Sequence, residues 1–248
     1  MTIGIIPARM ASTRFPEKPL AMLSGFPLIQ HVYAAAEKAD SISETWVATD
    51  DSAIFNSVES FGGKAVMTRA DHASGTDRIV EAIEKINNPD IDIVVNIQGD
   101  EPVIEPASIN KCVEALNCKK TADWATLIYP ISEDDNPNIV KVVCDKNNFA
   151  LYFSRALIPF VRDGSGSANR FAHIGLYAYR LNAIKKFAEL PPSPLEQTEK
   201  LEQLRALENG MKIACAEVEH ASPGVDTKED LQFVENLIRE NPGLMNIK

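Results

Sequence analysis

The sequence predicts an α/β fold with a doubly wound, mostly parallel central sheet. Three observations carry this. Short apolar runs alternate with amphipathic stretches through the first hundred residues, the pattern of strand–helix–strand units with right-handed crossovers. The run from Ile91 to Ile97 is too apolar for a half-exposed strand, so it reads as a central strand buried on both faces. The residues with distinctive chemistry follow predicted strands, where open α/β sheets bind ligands.

Taken in order, Ile3 to Ala8 reads as a buried strand. Pro27 to Ala39 reads as a helix with Leu28, Val32 and Ala35 or Ala36 on one face. Glu44 to Thr49 is a strand, Ser52 to Phe61 a helix closed by Gly62-Gly63, and Lys64 to Met67 a short strand. Ser74 to Ile86 is a helix with Ser74 and Asp77 placed for its cap. In the second half, Ala125 to Tyr129, Val140 to Cys144, Ala150 to Phe153, Ile174 to Arg180 and Lys212 to Val218 read as strands. Leu195 to Leu207 and Lys228 to Arg239 read as helices, and Asn241 to Lys248 as a frayed tail. The Gly/Ser-rich stretch 162–170 is either a lid or a plain surface loop. No repeat or linker divides the chain, so residues 1–248 read as one domain with a smaller mixed sheet element.

Composition narrows the function. There are 25 Lys and Arg against 35 Asp and Glu, a net charge of −10, so a duplex nucleic-acid partner is disfavoured. A local basic loop can still hold an anionic small molecule. The four cysteines form no CxxC pair and no zinc spacing, which predicts free, mostly buried thiols. The chain starts directly in a strand, without the basic and apolar regions of a signal peptide, and no run is long enough to span a bilayer. The expectation is a cytoplasmic protein without a membrane partner.

Four constellations carry chemistry. Pro7-Ala8-Arg9-Met10-Ala11-Ser12-Thr13-Arg14-Phe15-Pro16-Glu17-Lys18-Pro19 follows the first strand. Small residues there let backbone N–H groups approach an anion, and two Arg and one Lys supply charge. The chain has neither GxxxxGK[ST] nor GxGxxG, so this is neither a P-loop nor a dinucleotide fingerprint. Asn96-Ile97-Gln98-Gly99-Asp100-Glu101-Pro102 closes the buried strand. Asp100 suits a hard cation, Gln98 a base or sugar, and Glu101 turns aside. Ser74-Gly75-Thr76 at a helix start suits an anion or a base edge, and the nearby His72 reads as an exposed loop residue. Pro223-Gly224-Val225-Asp226-Thr227 precedes the last helix, with Thr227 and Asp230 as cap residues and Asp226 as the extra carboxylate.

The string Ile5-Ile6-Pro7-Ala8-Arg9, with Ser12-Thr13-Arg14, Pro16 and Lys18-Pro19-Leu20, resembles the N-terminal signature of sugar nucleotidyltransferases. More narrowly, it resembles the 3-deoxy-manno-octulosonate cytidylyltransferases. The likeness runs from about Ile5 to Asp230 in several ordered strings, which together are far more specific than any one of them. It implies a nucleotide-diphospho-sugar transferase fold. Residues 1–120 would mainly bind CTP, and 121–240 would mainly bind sugar and dimerise. It also implies nucleotide contacts from Ala8, Arg9, Arg14, Lys18, Arg69, Ser74, Gly75, Thr76, Arg78 and Gln98. Mg2+ would be held by Asp100 and Asp226. Arg155 and Arg162 would meet a sugar carboxylate, and His173, Tyr177, Glu202 and Gln203 its hydroxyls. A planar guanidinium suits a carboxylate bidentately. The family has Gly between the Pro and the Lys of the first loop. Here Glu17 stands there, which restricts φ and requires its carboxylate to point away from phosphate.

The activity implied is transfer of CMP from CTP to the anomeric hydroxyl of 3-deoxy-manno-octulosonate for lipopolysaccharide precursor synthesis. Arg9, Lys18 and Asp100 would be the catalytic residues of a cytoplasmic homodimer. Rival readings are a cytidylyltransferase for an 8-amino octulosonate or an acylneuraminate, an enzyme using another NTP, and a non-catalytic nucleotide-binding regulator. A sugar panel separates the first from the main reading, and CTP binding without turnover would mark the last.

Overall fold

A computed structural model describes residues 1–10, 14–72, 74–132, 135–162 and 169–247. Most of the 162–170 stretch therefore lies outside the described residues. Contacts divide the chain into two compact units: residues 1–110 with 222–248, and residues 111–221. The last helix thus belongs with the N-terminal unit, whereas division by sequence halves grouped it with the sugar half.

In the first unit, β1 (Thr2–Ala8) leads through a 3-10 turn (Lys18–Leu20) and a small antiparallel hairpin, β2 (Met22–Leu23) and β3 (Phe26–Pro27), into α1 (Leu28–Glu37). Next come β4 (Glu44–Thr49), α2 (Ser52–Ser60), β5 (Lys64–Met67), α3 (Gly75–Ile86), β6 (Ile93–Asn96) and α4 (Pro106–Cys118), of which residues 111–118 already belong to the second unit. The strands run in the order β6–β1–β4–β5, all parallel. Ile3, Ile5 and Ile6 of β1 and Val94 and Val95 of β6 are fully buried, as expected for strands covered on both faces. Local signals set the helix ends. Asp51 caps α2 by accepting from Ala53 N–H at 2.7 Å, and Gly62 follows that helix at φ 82°, where a side chain would be strained. Ser74 caps α3 by accepting from Asp77 N–H at 3.2 Å.

The second unit contains β7 (Trp124–Ile131), β8 (Lys141–Cys144), β9 (Ala150–Ser154), β10 (Arg170–Arg180), α5 (Leu181–Ala188), α6 (Pro194–Glu199), α7 (Gln203–Glu208) and β11 (Ile213–Glu217). Its sheet is mixed: β11 pairs parallel with β7, while β7–β10, β10–β8 and β8–β9 are antiparallel. Trp124 centres its core, edge-on to Tyr179 and Phe187 at 4.8 Å each. The chain then returns to the first unit in α8 (Lys228–Glu240), which is capped reciprocally by Thr227 and Asp230.

Several sequence expectations change. The single helix expected at 195–207 is two, α6 and α7. Lys200 adopts φ 56°, a left-handed conformation that ends α6, and Leu201 is buried just after it. The helices α4 and α5 were not anticipated. The tail is less frayed than expected: Pro242–Leu244 forms a 3-10 turn, and Asn246 Nδ2 donates to the Ile104 carbonyl at 3.4 Å. All four cysteines are free thiols, with Cys112 and Cys215 buried and Cys118 exposed.

Candidate active site

The carboxyl ends of β1 and β6 lie side by side because both strands pair in one parallel register, and Ile97 N–H continues that ladder to the Ile5 carbonyl at 3.0 Å. A Cβ on Gly99 would sit 3.1 Å from the Pro7 carbonyl oxygen. Glycine lets the 96–101 segment approach the first loop this closely without displacing it. Between these strand ends opens a cleft of about 610 Å³, built wholly from the first unit.

Its floor is the first loop. A backbone hydrogen bond from Glu17 to the Met10 carbonyl, 3.4 Å, closes the loop on itself, and the 3-10 turn that follows starts at Lys18. Glu17 adopts φ 59°, the left-handed conformation that favours glycine, and its side chain is exposed. Glu17 therefore holds, at some cost in strain, a backbone shape that glycine adopts freely. Ala8, Arg9, Arg14 and Lys18 all line the cleft.

Lys18 sits at the centre. Its side chain is 14% exposed, and Nζ lies 2.8 Å from Asp100 Oδ2 and 3.1 Å from Asp226 Oδ1. Arg14 adds a 3.1 Å contact to Asp226 Oδ2. Asp226 is brought to Asp100 by the backbone: Val225 N–H donates to the Asp100 carbonyl at 2.8 Å, and Val225 is fully buried. The amides of Asp226 and Thr227 both donate to Asp230 Oδ2, at 2.9 and 2.8 Å, so the turn before α8 is fixed. Next to Asp100, Glu101 is half-buried, with its Oε2 shielded from solvent. Burial, and secondly the Asp100 charge, push its pKa up to about 8.

The far wall comes from the start of α3. Ser74, Gly75 and Arg78 line the cleft, and Ser74 with Gly75 presents a helix N-terminus to it. Arg78 is buried and already engaged, 2.5 Å from Thr68 Oγ1 and 3.0 Å from Asp50 Oδ1. Gln98 lines the opposite side. Two expected contacts lie elsewhere. Thr76 is buried outside the cleft lining, and Arg69 is exposed and pairs with Asp71 at 2.9 Å through Nε and 2.6 Å through its terminal nitrogen. His72 is not an exposed loop residue: its side chain is 13% exposed, it lines the cleft, and Nε2 is hydrogen-bonded to Glu81. Asp50 and Glu81 were not singled out from the sequence, and His72 was named there but read as exposed. For Asp50 a signal existed, since it directly follows β4 at the carboxyl end of a parallel strand.

The residues expected to meet the sugar all lie in the second unit. His173 and Tyr177 are neighbours on β10, with ring centroids 5.2 Å apart. The His173 ring packs edge-on to Phe153, Nε2 lies 3.1 Å from Thr126 Oγ1, and burial lowers its pKa to about 3. Burial and, among nearby groups, the Glu202 carboxylate push the Tyr177 phenol well above its ordinary value. Gln203 is buried at the start of α7. Arg155 is held by backbone carbonyls: Nε donates to Glu199 at 2.7 Å and a terminal nitrogen to Pro137 at 2.9 Å. Arg162 is exposed.

The donor set at Asp100 and Asp226 suits magnesium. Their carboxylate oxygens reach one cationic centre, now occupied by the Lys18 ammonium. Among the described residues no group of three or more Asp, Glu, His or Cys gathers as a metal cage. Two carboxylates, with substrate phosphates and water completing the shell, is the usual provision for that ion.

Comparison with known proteins agrees with this geometry. Residues 3–213 match the family model described as cytidylyltransferase. A 3-deoxy-manno-octulosonate cytidylyltransferase of Thermodesulfovibrio yellowstonii is 50% identical, over 96% of this chain and 98% of that one. Its counterpart in Syntrophobacter fumaroxidans is 51% identical over 94% of each. A solved structure of CMP:2-keto-3-deoxy-manno-octonic acid synthetase complexed with CTP superposes with a TM-score of 0.92 at 43% identity, covering 96% of this chain and 98% of that one. The solved structure of a putative glucose-1-phosphate thymidylyltransferase from Bacillus anthracis shares the fold at 19% identity and TM-score 0.68, covering 97% of this chain and 96% of that one. Matched by the family model over most of its length and by near full-length relatives at 50% and 51% identity, the chain belongs to the cytidylyltransferase family, among the 3-deoxy-manno-octulosonate cytidylyltransferases.

Proposed function

We infer that this chain transfers CMP from CTP to the anomeric hydroxyl of 3-deoxy-manno-octulosonate, releasing pyrophosphate, and so serves lipopolysaccharide precursor synthesis. The observation that carries this is the convergence of Asp100 and Asp226 on Lys18 within a cleft otherwise rich in Arg. A net-acidic protein has here a local cationic site for a triphosphate. Such phosphoryl chemistry needs positioning and charge neutralisation more than covalent help.

In this reading Arg9 and Arg14 bind phosphate oxygens, and the start of α3 offers backbone N–H groups to the nucleotide. Lys18 leaves the carboxylate pair for the transferring or leaving phosphate oxygens and stabilises the charge that develops there. Asp100 and Asp226 would hold Mg2+, which would neutralise phosphate charge and lower the pKa of the attacking hydroxyl. In the second unit, the His173–Tyr177–Glu202 group offers hydrogen-bonding partners to a polyhydroxy acid, and the exposed Arg162 is the guanidinium left for its carboxylate. We also read the protein as a cytoplasmic homodimer. No described helix is long and apolar enough to cross a membrane. Leu151 and Phe160, 62% and 85% exposed, are apolar surface that a second copy would cover. Light scattering tests the dimer.

The deciding experiment is pyrophosphate release with CTP, with and without magnesium. It is run with 3-deoxy-manno-octulosonate, its 8-amino analogue and an acylneuraminate in parallel. Magnesium-dependent release with the first alone is expected. Preference for another sugar overturns the acceptor, and CTP binding without any release overturns catalysis.

A further inference from the structure

His72 has no task in the reaction as described, although it lines the cleft. Its partner Glu81, on α3, is held by two further donors: the Arg69 amide at 3.0 Å and Lys85 Nζ at 2.8 Å. Burial alone would raise the Glu81 pKa, but hydrogen bonds from Lys85, the Arg69 amide and His72 outweigh it and bring it down to about 2. Glu81 is therefore a carboxylate at any working pH, and a carboxylate only accepts. The hydrogen between the two side chains belongs to His72 Nε2, so in the neutral ring Nδ1 is a lone-pair acceptor. Among the described residues Nδ1 makes no hydrogen bond.

A neutral acceptor is the wrong partner for a phosphate oxygen and the right one for an O–H or N–H donor. Arg9, Arg14 and Lys18 already supply the phosphate side of the cleft. The donors that a cytidine nucleotide offers are its ribose hydroxyls and the exocyclic amine of its base, where uracil carries a carbonyl acceptor. We propose that His72 contacts the nucleoside of the bound nucleotide through Nδ1, accepting a hydrogen bond from a ribose hydroxyl or the base amine, and that Glu81 is the positioning residue that turns it there. This rests on the cleft being the CTP site.

The test uses CTP binding by calorimetry without sugar, together with steady-state KM values and thermal midpoints. In His72→Gln the amide nitrogen takes the place of Nε2 and keeps the tie to Glu81, while nothing replaces Nδ1. In His72→Asn the amide oxygen takes the place of Nδ1. His72→Gln should bind CTP about tenfold more weakly with an unchanged midpoint and sugar KM, and His72→Asn should lose less. Equal CTP affinity for His72→Gln and the parent chain overturns the contact, as does a loss confined to His72→Asn. Glu81→Ala should raise the KM for CTP and leave that for sugar unchanged. Glu81→Gln, which keeps an acceptor oxygen, should restore most of the loss, and failure to restore overturns the positioning role. With 2′-deoxy-CTP or 3′-deoxy-CTP the gap between parent and His72→Gln should close if a ribose hydroxyl is the donor. With UTP it should close if the amine is. A gap that persists with all three overturns the nucleoside contact. No CTP binding by the parent chain overturns the functional reading itself.

Discussion

The ammonium of Lys18 lies 2.8 Å from Asp100 Oδ2, largely shielded from solvent. A cation is thus held beside the carboxylate before any nucleotide arrives. Lys18→Ala removes the counter-ion of both carboxylates and, in the proposed function, a phosphate ligand. Turnover should fall by roughly tenfold or more with the circular dichroism spectrum unchanged. Asp100→Asn should lower turnover by a similar factor and raise the magnesium concentration needed for half-maximal rate. Near-normal turnover in either variant removes that residue from the catalytic set.

The left-handed backbone at Glu17 predicts that Glu17→Gly relieves strain. Glycine loses more entropy on folding, so the net gain should be modest, ~0.5 kcal/mol, read as a small rise in denaturation midpoint. CTP affinity should hold, because the exposed side chain is lost while the loop shape stays. A drop in stability would mean that the Glu17 side chain contributes more than its backbone costs.

Gly99→Ala would place a Cβ against the Pro7 carbonyl, a backbone atom that can yield only by moving the end of β1. The basic loop starts there. The KM for CTP should rise severalfold while the sugar KM stays near its original value. Unchanged kinetics would show that the two strand ends separate easily.

Arg155 is engaged with the carbonyls of Glu199 and Pro137, so Arg155→Ala should cost stability, about 2 kcal/mol by denaturant titration. Arg162→Ala should instead raise the sugar KM without changing stability. The reverse pattern would return the carboxylate to Arg155.

Between pH about 3 and 6.5, the unfolded chain protonates His173 while the folded chain excludes the proton. Stability should therefore rise with pH through this window and fall as acid is added, by up to ~1.4 kcal/mol per unit. His173→Gln should give a shallower loss between pH 7 and 4. Parallel curves would place the acid sensitivity elsewhere.

What the sequence discloses depends on the range of the signal. The strands β1, β4 and β5 are short segments with an apolar centre, and their boundaries could be read within a residue. The helix α4 carries Ile109, Cys112, Val113 and Leu116 at helical spacing, all buried, but the Asp-Glu-Pro string before it drew the reading toward a turn. The break at Lys200 had no local marker, because a lysine in a left-handed conformation is set by its surroundings. In the site, the basic loop and Asp100 were legible from residue type and place. The meeting of Asp226 with Asp100 came only from resemblance to a family. The tie between His72 and Glu81 joins a loop to a helix face and leaves no periodic trace in the chain.

The return of the C-terminal segment to the first unit has a consequence for biosynthesis. On the ribosome, the basic loop and Asp100 emerge early, while Asp226 emerges only after the whole intervening unit has been made. A growing chain therefore carries the basic loop and Asp100 long before it can bring two carboxylates to one point. Its Lys18 has at that stage one carboxylate partner of the final two. The backbone bond from Val225 to Asp100 can form only when the last segment has been made, so the carboxylate pair is among the late features of the first unit to be completed.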